Sequence, residues 1–265
     1  MDADRAGAEA GELNVAGAAV TKVMLVTGAS RGIGAEVAIL ASRRGFAVGV
    51  NYLRDEQAAR EVVARIEREG GRAIALQADV GDQAQVARMF ASLDAALGAL
   101  DVLVNNAGLL DVVGIDDVSE DRLLLSYRAN VFAMAYCARE AVRRMSTTRG
   151  GRGGSIVNLS SVASRLGGLG IAYAGSKGAT DAFTLVLANE VATQGIRVTA
   201  VRPGLIDTSI HTASGGVESM RERAKAAVPM KRHGAPSEVA EAILWLASDQ
   251  ASYVHGTIVD VSGGR

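Results

Sequence analysis

A chain of 265 residues, 49% of them hydrophobic, is long enough to bury one sizeable α/β core, which excludes a disordered chain and a small disulfide-stapled scaffold. Its net charge of −1 excludes the clustered basic excess that nucleic acid or an anionic membrane surface demands, so the expected partners are small molecules and copies of the chain itself. The single cysteine, Cys137, cannot close an intramolecular disulfide. It falls in an apolar helical pattern with Val131, Phe132, Met134 and Ala135, which reads as a packed thiol in a reducing, cytoplasmic compartment. No apolar run approaches the roughly 20 residues that span a bilayer. Asp2, Asp4, Glu9 and Glu12 stand where a secretory signal needs a basic start.

Residues 1–20 are rich in Ala and Gly with scattered acids, the composition of a tail that buries little, so 21–265 is expected to be the single folded domain. Val23-Met24-Leu25-Val26 then reads as a strand, Thr27 to Gly34 as a glycine turn, and Val37, Ile39, Leu40 and Ala41 as a buried helix. The glycine spacing is G-x-x-x-G-x-G. Gly28 suits a tight turn, Gly32 lets backbone approach a pyrophosphate, and Gly34 allows close helix–strand packing, with the helix N-terminus offering N–H groups to phosphate.

A second strand, Phe46 to Val50, leads to Asn51-Tyr52-Leu53-Arg54, where an NAD-binding protein places an acid on the ribose 2′-hydroxyl. No acid stands there. Asn51 with Arg31 and Arg54 suits the 2′-phosphate of NADP, since guanidinium groups bind phosphate bidentately, while Asp55 close by tempers that positive charge.

The alternation continues with helix Glu56 to Glu69, strand Ala73 to Leu76 ending near Asp79-Val80, helix Gln83 to Leu97 and strand Val102 to Val104. Helix Ser119 to Met145, strand Ile156 to Leu159, helix Tyr173 to Thr193 and strand Val198 to Val201 complete the run. Repeated β-α units predict an α/β fold, a Rossmann-like doubly wound parallel sheet with helices on both faces and ligand sites at the carboxyl ends of its strands. Thr27, Asn105, Ser160 and Pro203 fall at such ends. Pro203, Pro229 and Pro236 bracket a long irregular stretch, 203–236, that reads as a lid or binding loop in which Met220 and Met230 offer an apolar lining and His211 a polar contact. A helix marked by Val239, Ile243 and Leu246 and a last strand, Thr257 to Val261, close the chain. His211, His233 and His255 lack metal-ligand spacing and no acid or thiol cluster joins them, so no metal is expected.

Tyr173 and Lys177, four apart, share one helix face. An ammonium beside a phenol favours the phenolate, which makes Tyr173 a candidate acid/base whose pKa falls below the usual ~10. Taken singly, such a pair is more often a packed ring beside a solvated charge.

The ordered set Thr27-Gly28-x-x-x-Gly32-x-Gly34, Asn105-Asn106-Ala107-Gly108, Ser160-Ser161, Tyr173-x-x-x-Lys177 and Pro203-Gly204 resembles the short-chain dehydrogenase/reductase family, and within it the 3-oxoacyl-carrier-protein reductase and glucose dehydrogenase-like branch. The resemblance covers residues 22–264 and implies a nicotinamide-dependent enzyme acting on CH–OH groups and their carbonyl counterparts. It implies Tyr173 as the acid/base, Lys177 as the group that lowers its pKa and holds the nicotinamide ribose, a serine that polarises the carbonyl, and Asn130 keeping a water in the proton path. The family's usual spacing of thirteen before the tyrosine selects Ser160, while alignment of the serine pair and the fixed strand end select Ser161, which is preferred. The implied cofactor contacts are Gly28, Ser30, Arg31, Gly32, Ile33 and Gly34; Asn51, Tyr52 and Arg54; Asp79 and Val80; Asn106, Ala107 and Gly108; Tyr173 and Lys177; and Pro203, Gly204, Ile206 and Thr208. A homotetramer is implied too, through the Trp245 helix and the last strand. An NADP-dependent oxidoreductase is the leading reading; the alternatives are a regulator that binds NADP(H) without turnover and an NAD-dependent sugar dehydrogenase.

Overall fold

The computed structural model describes residues 21–210 and 216–265; the tail 1–20 and His211 lie outside the described residues. Seven parallel strands form one sheet: β1 Val23–Val26, β2 Ala47–Tyr52, β3 Ala73–Gln77, β4 Leu100–Asn105, β5 Gly154–Leu159, β6 Ile196–Pro203 and β7 Thr257–Val261, in the order β3-β2-β1-β4-β5-β6-β7. The order reverses between β1 and β4, the switch point at which open α/β sheets bind ligands beyond their carboxyl ends.

Side chains of β1 alternate across the sheet, as the two-residue period of a strand requires. Met24 and Val26 pack with α1 (Gly32–Arg43), α2 (Glu56–Arg68) and α9 (Pro236–Ala247) through Val37, Ile66, Val239 and Ile243. Val23 and Leu25 enter the opposite layer with α3 (Gln83–Leu97), α5 (Ala133–Met145) and α7 (Ile171–Val191) through Phe90, Leu93, Cys137 and Val191. Burial pushes the Cys137 thiol pKa up, in keeping with a packed side chain.

Three segments differ from the sequence expectations. The helix expected from Ser119 to Met145 is α4 (Glu120–Tyr127) and α5 joined by a π-helical turn, Arg128–Phe132, a widening that often marks functional sites. The loop after β5 contains a short helix, α6 (Ala163–Leu166). The stretch 203–236 is not irregular throughout: it holds α8, Gly216–Ala227. Met220 and Ala224, four residues apart, pack with Leu205 and Val228, a narrow buried stripe among the described residues of α8. Met220 is therefore core and Met230 is exposed; neither lines the cavity described below.

Candidate active site

A cavity of about 1120 Å³ opens at the carboxyl ends of the strands. It exceeds the roughly 300–1,000 Å³ of a single small-molecule site. At one end lies the glycine turn. Gly28 has φ 61, and a Cβ there would stand 2.9 Å from the Ala107 Cα. A Cβ on Gly34 would meet the Asn106 amide nitrogen at 2.5 Å, so helix α1 can approach the strand ends only without side chains at these points. The Arg31 N-cap makes no side-chain cap bond, which leaves the first N–H groups of α1 directed at the cavity wall formed by Ser30, Arg31, Gly32 and Ile33.

The polar residues around this turn hold main chain. Asn51, 1% exposed, accepts from the Gly28 N–H at 3.0 Å and donates to the carbonyls of Leu76 at 3.1 Å and Ala78 at 3.2 Å. Asn106 donates to the Thr27 and Gly28 carbonyls at 2.8 and 2.9 Å, while the Thr27 hydroxyl accepts from the Asn106 and Ala107 N–H groups, both at 3.0 Å. Asp79 accepts from the Gly81 N–H at 2.8 Å and pairs with Arg128 at 2.9 Å. Arg31 is ion-paired with Asp55, which also caps α2 by accepting from the Ala58 N–H. Arg54 is exposed and meets no carboxylate within ion-pair distance among the described residues.

Tyr173 on α7 lines the cavity, is 8% exposed and has the Ser161 hydroxyl beside its phenol. Ser160 also lines the cavity, but its hydroxyl donates to the Lys177 carbonyl at 3.2 Å. The Ser160 N–H pairs with the Val201 carbonyl at 2.8 Å and the Val162 N–H with the Pro203 carbonyl at 3.1 Å, so pairing with β6 continues past both serines, and it is the Ser161 hydroxyl that lies beside the phenol. Lys177 is buried, donates to the Leu159 carbonyl at 2.7 Å and stands 5.8 Å from the Tyr173 ring centroid. Burial lowers its pKa to about 8, with Asp181 opposing, so its charge is lost as pH rises through that value. The phenol pKa is raised, contrary to expectation: burial dominates, the Ser161 hydrogen bond opposes it, and the ammonium lies toward the ring and is engaged by Leu159.

Asn130 sits in the π-helical turn. It accepts from the Leu109 N–H at 2.8 Å and donates to the Leu109 carbonyl at 3.0 Å and the Ser176 hydroxyl at 2.9 Å. A Cβ on Gly108 would stand 2.9 Å from the Asn130 oxygen and 3.6 Å from the Lys177 nitrogen, which places these two side chains around one small space.

Of the residues expected in the site, Gly34, Ser161 and Asn130 are next to lining residues rather than among them, Ser161 beside the Tyr173 phenol; the others line the cavity, including Tyr52, Val80, Pro203, Gly204, Ile206 and Thr208. Sequence reasoning missed the far wall, made of Leu110, Leu166, Leu169, Ile210, Ala226 and Ala227 with Arg223 and Arg265. Aliphatic residues in loops carry no spacing signal. His255 is structural: it accepts from the Val198 N–H at 3.0 Å and bonds the Ala188 carbonyl at 2.9 Å.

A family model described as Enoyl-(Acyl carrier protein) reductase matches residues 28–265. The uncharacterized oxidoreductase YgfF of Escherichia coli is 48% identical, over 92% of this chain and 99% of its own. The 3-oxoacyl-[acyl-carrier-protein] reductase FabG of Staphylococcus aureus is 34% identical over 92% of this chain and 98% of its own. Among solved structures, the promiscuous reductase LugOII, described as catalysing keto-reduction during lugdunomycin biosynthesis, superposes with a TM-score of 0.83 at 36% identity over 92% of this chain and 97% of that one.

Proposed function

The chain belongs to the short-chain dehydrogenase/reductase family and is an oxidoreductase of that type, and from this premise we propose that it reduces a ketone or aldehyde with NADPH, and oxidises the corresponding alcohol in reverse. The observation that carries the reading is that Tyr173, with the Ser161 hydroxyl beside it, and Lys177 line the same cavity as a glycine turn and an open helix N-terminus. A bound nicotinamide supplies or accepts the hydride. Tyr173 gives its proton to the carbonyl oxygen, and its raised pKa keeps it protonated at neutral pH, as a proton donor must be. Ser161 holds that oxygen as a second donor. Lys177 re-forms its contacts toward the ribose while charged, and Asn130 holds the loop at Leu109 beside the proton path.

NADP is favoured over NAD by Arg54, a guanidinium just beyond β2 with no ion-pair partner among the described residues. Arg31 contributes after exchanging Asp55 for phosphate, and Asn51 contributes by fixing Gly28 rather than by touching cofactor. A homotetramer in the cytoplasm completes the reading. Exposed Trp245 on α9, and Leu124, Phe132 and Val186 on α4 to α7, give it apolar surface to cover, and light scattering that returned a monomer would reject it.

The test is a panel of ketones, acyl thioesters and sugars assayed with each cofactor on wild type and Arg54→Ala. NADPH should be preferred, and Arg54→Ala should weaken NADPH about tenfold while leaving NADH alone, the value of one charge-assisted contact. Equal or tighter NADH binding by the wild type overturns the cofactor assignment. NADPH binding without turnover of any compound points instead to a regulator.

A further inference from the structure

Beyond Tyr173 the cavity wall is aliphatic, formed by Leu110, Leu166, Leu169, Ile210 and Ala226, and the half-buried residue Arg265 borders it. The Arg265 main chain is fastened: its carbonyl oxygen accepts from Arg165 at 2.9 Å and from the Ser262 hydroxyl at 2.8 Å. Carboxylates on this side of the sheet are already engaged. Asp260 pairs with Arg165 at 3.0 Å and with Arg202 at 3.4 Å, and Asp181 pairs with Arg202 at 2.9 Å. Among the described residues, Arg265 itself has no ion pair. The two acids that line the cavity, Asp55 and Asp79, lie at the glycine-turn end and are paired with Arg31 and Arg128. The far end therefore presents Arg265 on an apolar wall with no Asp or Glu among the described residues that line it there. A guanidinium beside aliphatic groups is costly to leave unpartnered, and its planar fork matches a carboxylate.

We infer that Arg265 binds an anionic group on the substrate, so that the carbonyl compound this cavity takes carries a carboxylate separated from the reacting carbon by an apolar spacer; this rests on the carbonyl-reductase reading above. The carboxylate docks on Arg265, the spacer lies along Leu166 and Ile210, and the carbonyl oxygen reaches Tyr173 and Ser161.

The test compares para-acetylbenzoate with its methyl ester, each with NADPH, on wild type, Arg265→Met and Arg265→Lys. Wild type should favour the acid in kcat/KM. Arg265→Met should lower the acid-to-ester ratio about tenfold through KM, and Arg265→Lys should restore most of it, because a lysine keeps the charge and loses only the bidentate geometry. A ratio that Arg265→Met leaves unchanged overturns the inference, as does a wild type that prefers the ester. Calorimetric binding of para-acetylbenzoate to the NADPH complex of Tyr173→Phe gives a readout without turnover. Binding that is lost on adding Arg265→Met supports the anchor even if neither compound is reduced, in which case the carbonyl-reductase reading fails and the anchor stands. Absence of binding to Tyr173→Phe overturns the anchor and leaves that reading intact.

Discussion

At the glycine-turn end of the cavity, Thr27, Asn51 and Asn106 spend their side chains on main-chain groups of neighbouring strands, so that Gly28 is held from below by one amide and its carbonyl from the side by another. At the far end, Leu166, Leu169, Ile210 and Ala226 offer surface and little else, on segments that follow β5 and β6 rather than within the sheet. The difference is one of tolerance. An amide that satisfies a donor and two acceptors at once has few substitutes, because each group it abandons is left unpaired in a dry wall. An aliphatic wall needs volume and apolarity, which several side chains supply. Under the proposed function, the first end would hold the cofactor and the second would vary with the substrate.

Tyr173 stands between the two ends, and its replacement should give the largest effect. Tyr173→Phe removes only the hydroxyl and keeps the buried ring, so NADPH affinity should hold while turnover falls by about 10²–10⁴-fold. Stopped-flow turnover and cofactor titration on the same sample decide it. Unchanged turnover would detach the chemistry from the place where the two ends meet.

Next in size is the amide beneath the turn. Asn51→Leu keeps the volume but orphans the Gly28 N–H and the Leu76 and Ala78 carbonyls, at an expected cost of about 2–4 kcal/mol in stability together with weaker NADPH binding. Urea unfolding measures the first and fluorescence titration the second. A variant as stable as wild type would show that the glycine turn does not depend on the amide, and the contrast between the two ends would lose its physical basis.

The same contrast explains what could be read from the sequence. Seven strands and their order along the chain were legible because β1, β2 and β4 are apolar runs closed by Gly, Asn or Thr, and Gly28, Gly34 and Asn106 were legible because backbone geometry admits few alternatives there. The serine pair was not separable by a strand-end argument, because pairing with β6 runs on from Ser160 to Val162: the Ser161 hydroxyl lies beside the phenol, while Ser160 lines the cavity and donates to the Lys177 carbonyl. Helix α8 was not legible: its buried stripe is Met220 and Ala224, and an alanine in a charged segment barely changes the pattern. Nor was the raised Tyr173 pKa. Sequence spacing puts a lysine one turn away, but only the packed structure shows burial outweighing it and the ammonium committed to the Leu159 carbonyl.

The smallest expected effect sharpens the comparison from the far end. Leu166 is 44% exposed and lies on the four-residue helix α6. Leu166→Met conserves volume and apolarity, and a half-exposed side chain forms no cavity when exchanged for a flexible one of similar size. Stability should change by less than about 0.5 kcal/mol and KM for a ketone substrate by less than about threefold, with kcat held because an aliphatic side chain handles no proton. Steady-state kinetics beside a thermal melt would measure both. If Leu166→Met instead costs tenfold in kcat/KM at unchanged stability, the wall recognises shape rather than apolar area. The far end would then be as intolerant of substitution as the amides under Gly28, for a different reason: it would be fitted to one substrate, as the turn is fitted to its own backbone.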